Sequence, residues 1–301
     1  MGNMINKNIN LLSFDIEEWY IEKEYLGARK EKYQEYDMYL NQILDILDDC
    51  NTKASFMCVG GLAKNFPHVI KKIVARGHEI GCHSNQHIWL NKLNAEQVRK
   101  DTKDAIAILE DITGKKIRSY RAPAFSIGEN NKYALEILAE NGIEIDSSIF
   151  PATRDFGGFP NFGSDTPTII STNGYQLKEF PISTATIFGK KLAYSGGGYF
   201  RFFPLPYIRR QMGKSNYAIS YFHIDDLMRP EYKGIIPKDK YEKYYREPGK
   251  LRNRIKRTLK SNIGKDGAFS KMRKLIQSTR FINFEEANRL IDWDKCEKIY
   301  L

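Results

Sequence analysis

Cysteine is scarce in this chain: there are four among 301 residues (Cys50, Cys58, Cys82 and Cys296), and no two share a CxxC spacing. That excludes a disulfide-dense scaffold and an all-cysteine zinc site, and it fits reduced, buried thiols. Cys82 abuts His83, but consecutive side chains of a strand point to opposite faces, so a structural role is expected for it. Long apolar runs are missing too. No stretch approaches the ~18 continuous apolar residues of a membrane-spanning helix. Met1 to Asn10 holds no apolar core of signal-peptide length, so a cytoplasmic location is expected. Repeats of fixed period and low-complexity tracts are absent, which excludes solenoid and disordered classes.

Acidic residues are nearly missing from one region. Residues 250–280 carry eleven Lys or Arg against one acid, Asp266, while the rest of the chain is balanced in charge, so the net charge of +10 is local. Such a segment suits an anionic membrane surface, a nucleotide- or lipid-linked glycan, or nucleic acid, and equally a solvated helical face. It lacks the interleaved aromatics of a single-strand binder, which argues against nucleic acid as a partner. A peripheral position at the inner membrane face is consistent with it.

The periodicity alternates strand and helix. Ile9–Phe14 reads as a buried strand ending at Asp15, Tyr36–Cys50 as a helix, Ala54–Val59 as a strand closed by Gly60-Gly61, and Leu62–Ala75 as a helix stopped by Gly77. Glu79–Cys82 reads as a third strand, and Asn94-Ala-Glu-Gln97 opens a helix to about Thr113 with a capping-box pattern. Ser119–Arg121 is a short strand, Lys132–Asn141 a helix, and Ile143–Ile145 leads into Asp146. Residues 151–206 are rich in Gly, Pro, Ser and aromatics and read as an elaborated loop region over one end of the sheet. Tyr217–Phe222 is a buried strand ending in His223, and Phe281–Phe284 a last short strand before a helix. The alternation predicts an α/β fold with a parallel sheet or barrel, and no linker divides it, so residues 1–301 are expected to form one domain.

Only five histidines occur, and two of them sit in His83-Ser-Asn-Gln-His87. Four residues apart, two imidazoles can face one way on a helical turn and hold a divalent metal. The acidic cluster Asp15-Ile-Glu17-Glu18 could complete such a site. Asp15, Glu17, His83, Arg121, Asp146 and His223 all fall where predicted strands end, the edge at which parallel α/β proteins gather their active sites. Each has a bland reading alone, as a cap, a surface ion pair or a core histidine; together they favour a site.

The chain resembles the polysaccharide deacetylases of the NodB-homology, carbohydrate esterase type. Five segments carry the resemblance, in the family's order: Ser13-Phe-Asp-Ile-Glu17, Gly77-His-Glu-Ile-Gly-Cys-His-Ser-Asn-Gln-His87, Tyr120-Arg-Ala-Pro-Ala-Phe-Ser126, Ile145-Asp-Ser-Ser-Ile-Phe-Pro151 and Tyr221-Phe-His223. Glu179-Phe-Pro181 and Gly196-Gly-Gly-Tyr-Phe-Arg201 look like the subgroup linked to exopolysaccharide and surface-glycan loci. The resemblance implies a distorted, incomplete (β/α)7-type barrel and a metal-dependent hydrolase that removes acetyl from an N-acetylated sugar. It implies a divalent metal, zinc first and cobalt, nickel or iron as alternatives, on Glu17, His83 and His87. It makes Asp15 the general base and His223 the general acid on opposite sides of the carbonyl. Arg121 would orient Asp15. Asp146 would support the His223 imidazole, with Asp225 competing for that role. Tyr199 and Trp19 are candidates to stack on a sugar ring, although a core role suits either.

Two departures matter. The family's common first motif has adjacent aspartates; Ile16 stands at the second, so Glu17 or Glu18 must supply the carboxylate. In extended backbone Glu17 points the same way as Asp15 and Glu18 does not. After His223 the chain continues Ile224-Asp-Asp226 rather than Pro-Trp-Glu, which can alter the acid or cap a helix. Two other readings remain: a cyclic amide hydrolase on the same barrel, with or without metal, and a non-catalytic glycan-binding protein.

Overall fold

The computed structural model describes residues 8–154, 157–187, 189–230 and 234–301. Most of the Met1–Asn10 stretch read above therefore lies outside the described residues. Nine strands form one sheet in the order β10-β1-β2-β3-β4-β5-β7-β6-β11. They are β1 (Ile9–Ile16), β2 (Ser55–Cys58), β3 (Glu79–Cys82), β4 (Ser119–Tyr120), β5 (Ile145–Asp146), β6 (Thr168–Thr172), β7 (Tyr175–Glu179), β10 (Tyr217–His223) and β11 (Glu297–Tyr300), while β8 (Thr184–Ile187) and β9 (Lys190–Ala193) make a separate hairpin. From β10 to β7, seven neighbouring strands run parallel. β6 then pairs antiparallel with β7, and β11 parallel with β6. The sheet ends on two different strands and stays open, as an incomplete α/β barrel does.

β1 lies between β10 and β2, and seven of its eight residues are buried, as in a strand covered on both faces. The helix Lys30–Asp49 starts six residues before Tyr36, since Lys32 continues the buried row of Tyr36, Leu40, Ile43, Leu44 and Leu47 one turn earlier. The expected Leu62–Ala75 helix is two, Gly60–Asn65 and Pro67–Ala75. Pro67 keeps Phe66 out of helical geometry, at φ −134°, and restarts the helix at its first turn. Gly60 and Gly61 open that first helix instead of ending a strand. A Cβ on Gly60 would lie 2.8 Å from the Ala105 Cα. The capping box forms as expected, with Asn94 Oδ1 accepting from Gln97 N–H and Gln97 Oε1 accepting from Asn94 N–H, both at 2.9 Å.

Residues 151–206 are less loop-like than their composition suggests. They contain β6 and β7, which extend the main sheet, together with β8, β9 and the helix Gly197–Phe202. The signal for the first pair is Asn173-Gly174 between them, with φ of 43° and 85°, the hairpin turn that this dipeptide favours. Phe281–Phe284 is not a strand of its own: Ile282 makes one bridge to Leu11 before the helix Phe284–Leu290. No described helix is long and apolar enough to cross a membrane.

Candidate metal and acid–base centre

Parallel pairing delivers the polar residues to one edge. Asp15 and His223 are register partners on β1 and β10. Glu17 follows the end of β1, His83 the end of β3 and Arg121 the end of β4. Among the described residues, Glu17, His83 and His87 are the group whose ligand atoms all lie within 4.8 Å of one another. Glu17 Oε2 stands 3.3 Å from His83 Nε2 and 2.5 Å from His87 Nε2. That oxygen is buried and has no hydrogen-bond donor. A carboxylate oxygen left in this state between two imidazoles fits a divalent cation. His83 Nδ1 meets the Arg121 carbonyl at 2.7 Å. A carbonyl only accepts, so that nitrogen carries the proton and Nε2 is the nitrogen turned to Glu17. Burial pushes the Glu17 carboxyl up, but His87, His223 and His83 outweigh it and hold it well below the usual range.

The histidine pair does not sit on a helical turn. His83 to His87 form a loop with Ser84 and His87 at φ of 63° and 55°. Asp101, on the helix Ala95–Thr113, holds it by accepting from Asn85 N–H at 2.8 Å and Gln86 N–H at 3.2 Å. Ser84 Oγ accepts from His87 N–H at 3.0 Å. Asp101 was not legible as a site residue, because nothing in its own helix pattern marks it.

Glu18 is directed elsewhere. Its two oxygens accept from the N–H of Asp225 at 2.9 Å and of Glu17 at 3.3 Å. Burial and the nearby Glu17 push it up to about 8. Cys82 is likewise outside the cluster, its thiol pushed up by burial.

Arg121 is fully buried and donates from Nη1 to Asp15 Oδ1 at 2.7 Å and from Nε and Nη2 to the carbonyl and Oγ of Ser147 at 3.2 and 3.1 Å. Asp15 Oδ2 then lies 3.7 Å from His223 Nε2. The expected base and acid are therefore neighbours on adjacent strands, because in-register parallel pairing sets them side by side. The His223 side chain is 30% exposed, and its Nδ1 meets Asp226 Oδ2 at 2.8 Å. Burial alone would lower His223, but Glu17, Asp226 and Asp15 together hold it well above 6.5. Asp226 is opposed by burial and brought down to about 2 by His223 and Arg201, whose Nε lies 3.1 Å from its other oxygen.

Three sequence expectations are corrected here. Asp146 does not support His223. It accepts from Ser148 Oγ at 2.6 Å and faces Glu179, another buried carboxyl. Asp225 does not either; it pairs with Lys265 at 2.7 Å. Asp226 takes the role because His223 is the N-cap of the short helix Ile224–Leu227, and the third residue of that helix folds back on its cap. Trp19 is fully buried against Tyr36, with ring centroids 5.4 Å apart, so it cannot stack on a sugar. Tyr199 is half-buried beside Phe150. Tyr244, unmarked in the sequence, lays its ring nearly parallel to His87 at 6.2 Å from the helix Lys238–Tyr245.

The subgroup motifs serve as scaffolding under this edge. A Cβ on Gly196 would come within 2.2 Å of the Tyr221 ring, so glycine there lets the chain pass under β10. Burial pushes the Asp146 and Glu179 carboxyls up, Glu179 well above 4.5 with Asp146 adding to the rise. The native pair then binds more protons than the unfolded chain, and stability falls as pH rises from about 4.5 upward. Glu179→Gln should flatten that slope in denaturant unfolding measured across pH. An unchanged slope would contradict the raised Glu179 carboxyl.

A polysaccharide deacetylase family model matches residues 33–145, and a model described as a domain of unknown function (DUF3473) matches residues 147–288. His83, His87 and Arg121 fall in the first match and His223, Asp226 and Arg201 in the second. The chain is 36% identical over 96 residues to a peptidoglycan-N-acetylglucosamine deacetylase of Bacillus cereus, covering 32% of this chain and 35% of that one. It is 32% identical over 106 residues to a peptidoglycan-N-acetylmuramic acid deacetylase of Bacillus subtilis, covering 33% and 40%. The chain thus spans well under half the length of these curated relatives. A solved Mycobacterium smegmatis structure, described as that of a polysaccharide deacetylase, superposes over 100% of this chain and 96% of its own with a TM-score of 0.65 at 17% identity, a likeness of fold. With the motifs in order along the strand ends, residues 33–145 carry a polysaccharide deacetylase match, and the fold of the chain is that of a solved polysaccharide deacetylase.

Proposed function

We propose that this protein is a hydrolase that removes the acetyl group from an N-acetylated sugar in surface-glycan synthesis. The observation that carries the reading is the pairing of Asp15 with His223, 3.7 Å apart, beside the Glu17–His83–His87 cluster. We assign Glu17, His83 and His87 as ligands of a divalent metal, zinc first. The chemistry such an ion supplies when bound is Lewis acidity toward a carbonyl oxygen and toward water. Asp15 takes the proton of the attacking water, and Arg121 holds the carboxylate in one orientation for that transfer. His223, kept protonated by its three carboxylate neighbours, gives a proton to the departing amine. Asp226 fixes the imidazole with Nε2 toward the reacting bond. The half-buried Tyr199 is our candidate for contact with the sugar.

Because the acid arises from the segment after residue 147 and the base from β1, we read residues 1–301 as one functional domain. The relatives named for peptidoglycan sugars support an N-acetylhexosamine as substrate class. Acetate release should be seen with at least one of a panel of nucleotide-, lipid- and polymer-linked N-acetyl sugars, with bound metal found by elemental analysis. Opening of a cyclic amide by metal-free protein, insensitive to chelators and without acetate release, would overturn the reading.

A further inference from the structure

We propose that the helix Leu251–Asn262 docks this protein on an anionic lipid bilayer. The proposal stands apart from the catalytic reading. The helix is inside out for a soluble protein, since none of its residues is buried. Leu251, Ile255 and Leu259 recur every fourth residue and Ile263 follows at the C-cap, exposed by 56%, 36%, 57% and 55%. Arg252, Lys256 and Lys260 recur one position on and are exposed as well. At about 100° per residue the two rows lie side by side along a helix about 18 Å long.

Polar side chains make the contacts with the protein body. Arg254 Nη1 donates to the Ile236 carbonyl at 3.1 Å, and Thr258 Oγ1 accepts from Ile236 N–H at 3.1 Å. The Arg257 guanidinium lies 4.4 Å from the Tyr245 ring centre and 3.7 Å from Glu247. Arg201 donates to the Ser261 and Lys260 carbonyls at 2.6 and 3.0 Å. A surface helix ordinarily buries its apolar stripe and exposes its polar face; this one is held by its polar face and leaves the stripe to solvent.

The chemistry of the two rows selects the occupant. Aliphatic side chains flanked by cations match the boundary between acyl chains and anionic headgroups. Nucleic acid would meet the basic row but has no place for four aliphatic side chains, and the row offers no ring for a base to stack on. A second copy would bring the basic rows of two such helices together, in a region with eleven cationic residues and one acid.

The test is cosedimentation of the whole chain with vesicles of phosphatidylcholine and phosphatidylglycerol, and of phosphatidylcholine alone. Binding to the mixed vesicles is expected, weakened about tenfold or more by the combined L251S, I255S and L259S changes and, separately, by R252E, K256E and K260E. All six side chains are exposed, and the unfolding midpoint of each variant is measured alongside, so that a loss of folding is told apart from a loss of docking. Acetate release from a soluble N-acetyl sugar should also be unchanged in both variants, so failure of docking and failure of the catalytic reading are seen separately. Indifference of the wild type to the mixed vesicles overturns the proposal. So does a concentration-dependent dimer dissolved by Leu259→Ser, or salt-sensitive DNA binding, where vesicle binding is absent.

Discussion

Replacing Asp15 by Asn lowers the turnover of acetate release by about 10²–10⁴-fold, the range that a positioned general base supplies. The substitution preserves shape. The amide still offers an oxygen to Arg121 Nη1, which in the native protein bonds Asp15 Oδ1 at 2.7 Å. It removes the oxygen that can take a proton and the counter-charge of a fully buried guanidinium. A stability loss of about 1–3 kcal/mol therefore accompanies the loss of rate, because Arg121 keeps its Ser147 partners and an acceptor but not its ion pair. The two effects separate by measurement: denaturant unfolding gives the stability, elemental analysis the metal, and acetate assay at saturating substrate the turnover. A folded, metal-loaded variant retaining more than about a tenth of the wild-type turnover would remove Asp15 from the role of base.

Replacing Glu17 by Ala weakens divalent-metal affinity by about a hundredfold or more and takes hydrolysis with it, because two imidazoles alone are left to hold the ion. The paired control is Glu18→Gln. Glu18 is engaged by the N–H groups of Asp225 and Glu17 and is pushed up to about 8, so it already carries a proton near neutral pH. A glutamine side chain there keeps the neutral state and one of the two acceptors, and should leave metal content unchanged. Calorimetric titration of metal-stripped protein with zinc tests both. The reverse outcome, in which Glu18→Gln loses metal and Glu17→Ala keeps it, would move the ligand one residue along the chain.

The choice between Glu17 and Glu18 marks how far strand alternation carries. Asp15 and Glu17 both turn toward His223, at 3.7 and 3.9 Å, as a two-residue period requires. The strand ends at Ile16, yet the alternation holds one residue further because Glu17 serves as the N-cap of the helix Glu18–Ile21. The support of His223 was open to a different kind of error. Asp146, Asp225 and Asp226 are all carboxylates near the right strand ends, and only the fold-back of a four-residue helix selects Asp226. Arg201, which steadies Asp226 from a helix earlier in the chain, left no mark beyond its place in a motif.

The alternation of strands and helices, the edge at which the site gathers, and the identities of Asp15, Glu17, His83, Arg121 and His223 follow from local pattern. Buried strands, helix caps and glycine stops are decided within a few residues. The tertiary structure alone decided the rest: that His83 and His87 meet across a loop held by Asp101, that Asp15 and His223 stand side by side, that Asp146 faces Glu179 rather than His223, and that the basic helix at Leu251 turns its apolar row outward. Each of these depends on which surfaces pack together and on the burial that follows. No spacing along the chain encodes that, because the groups involved come together only when the sheet is complete.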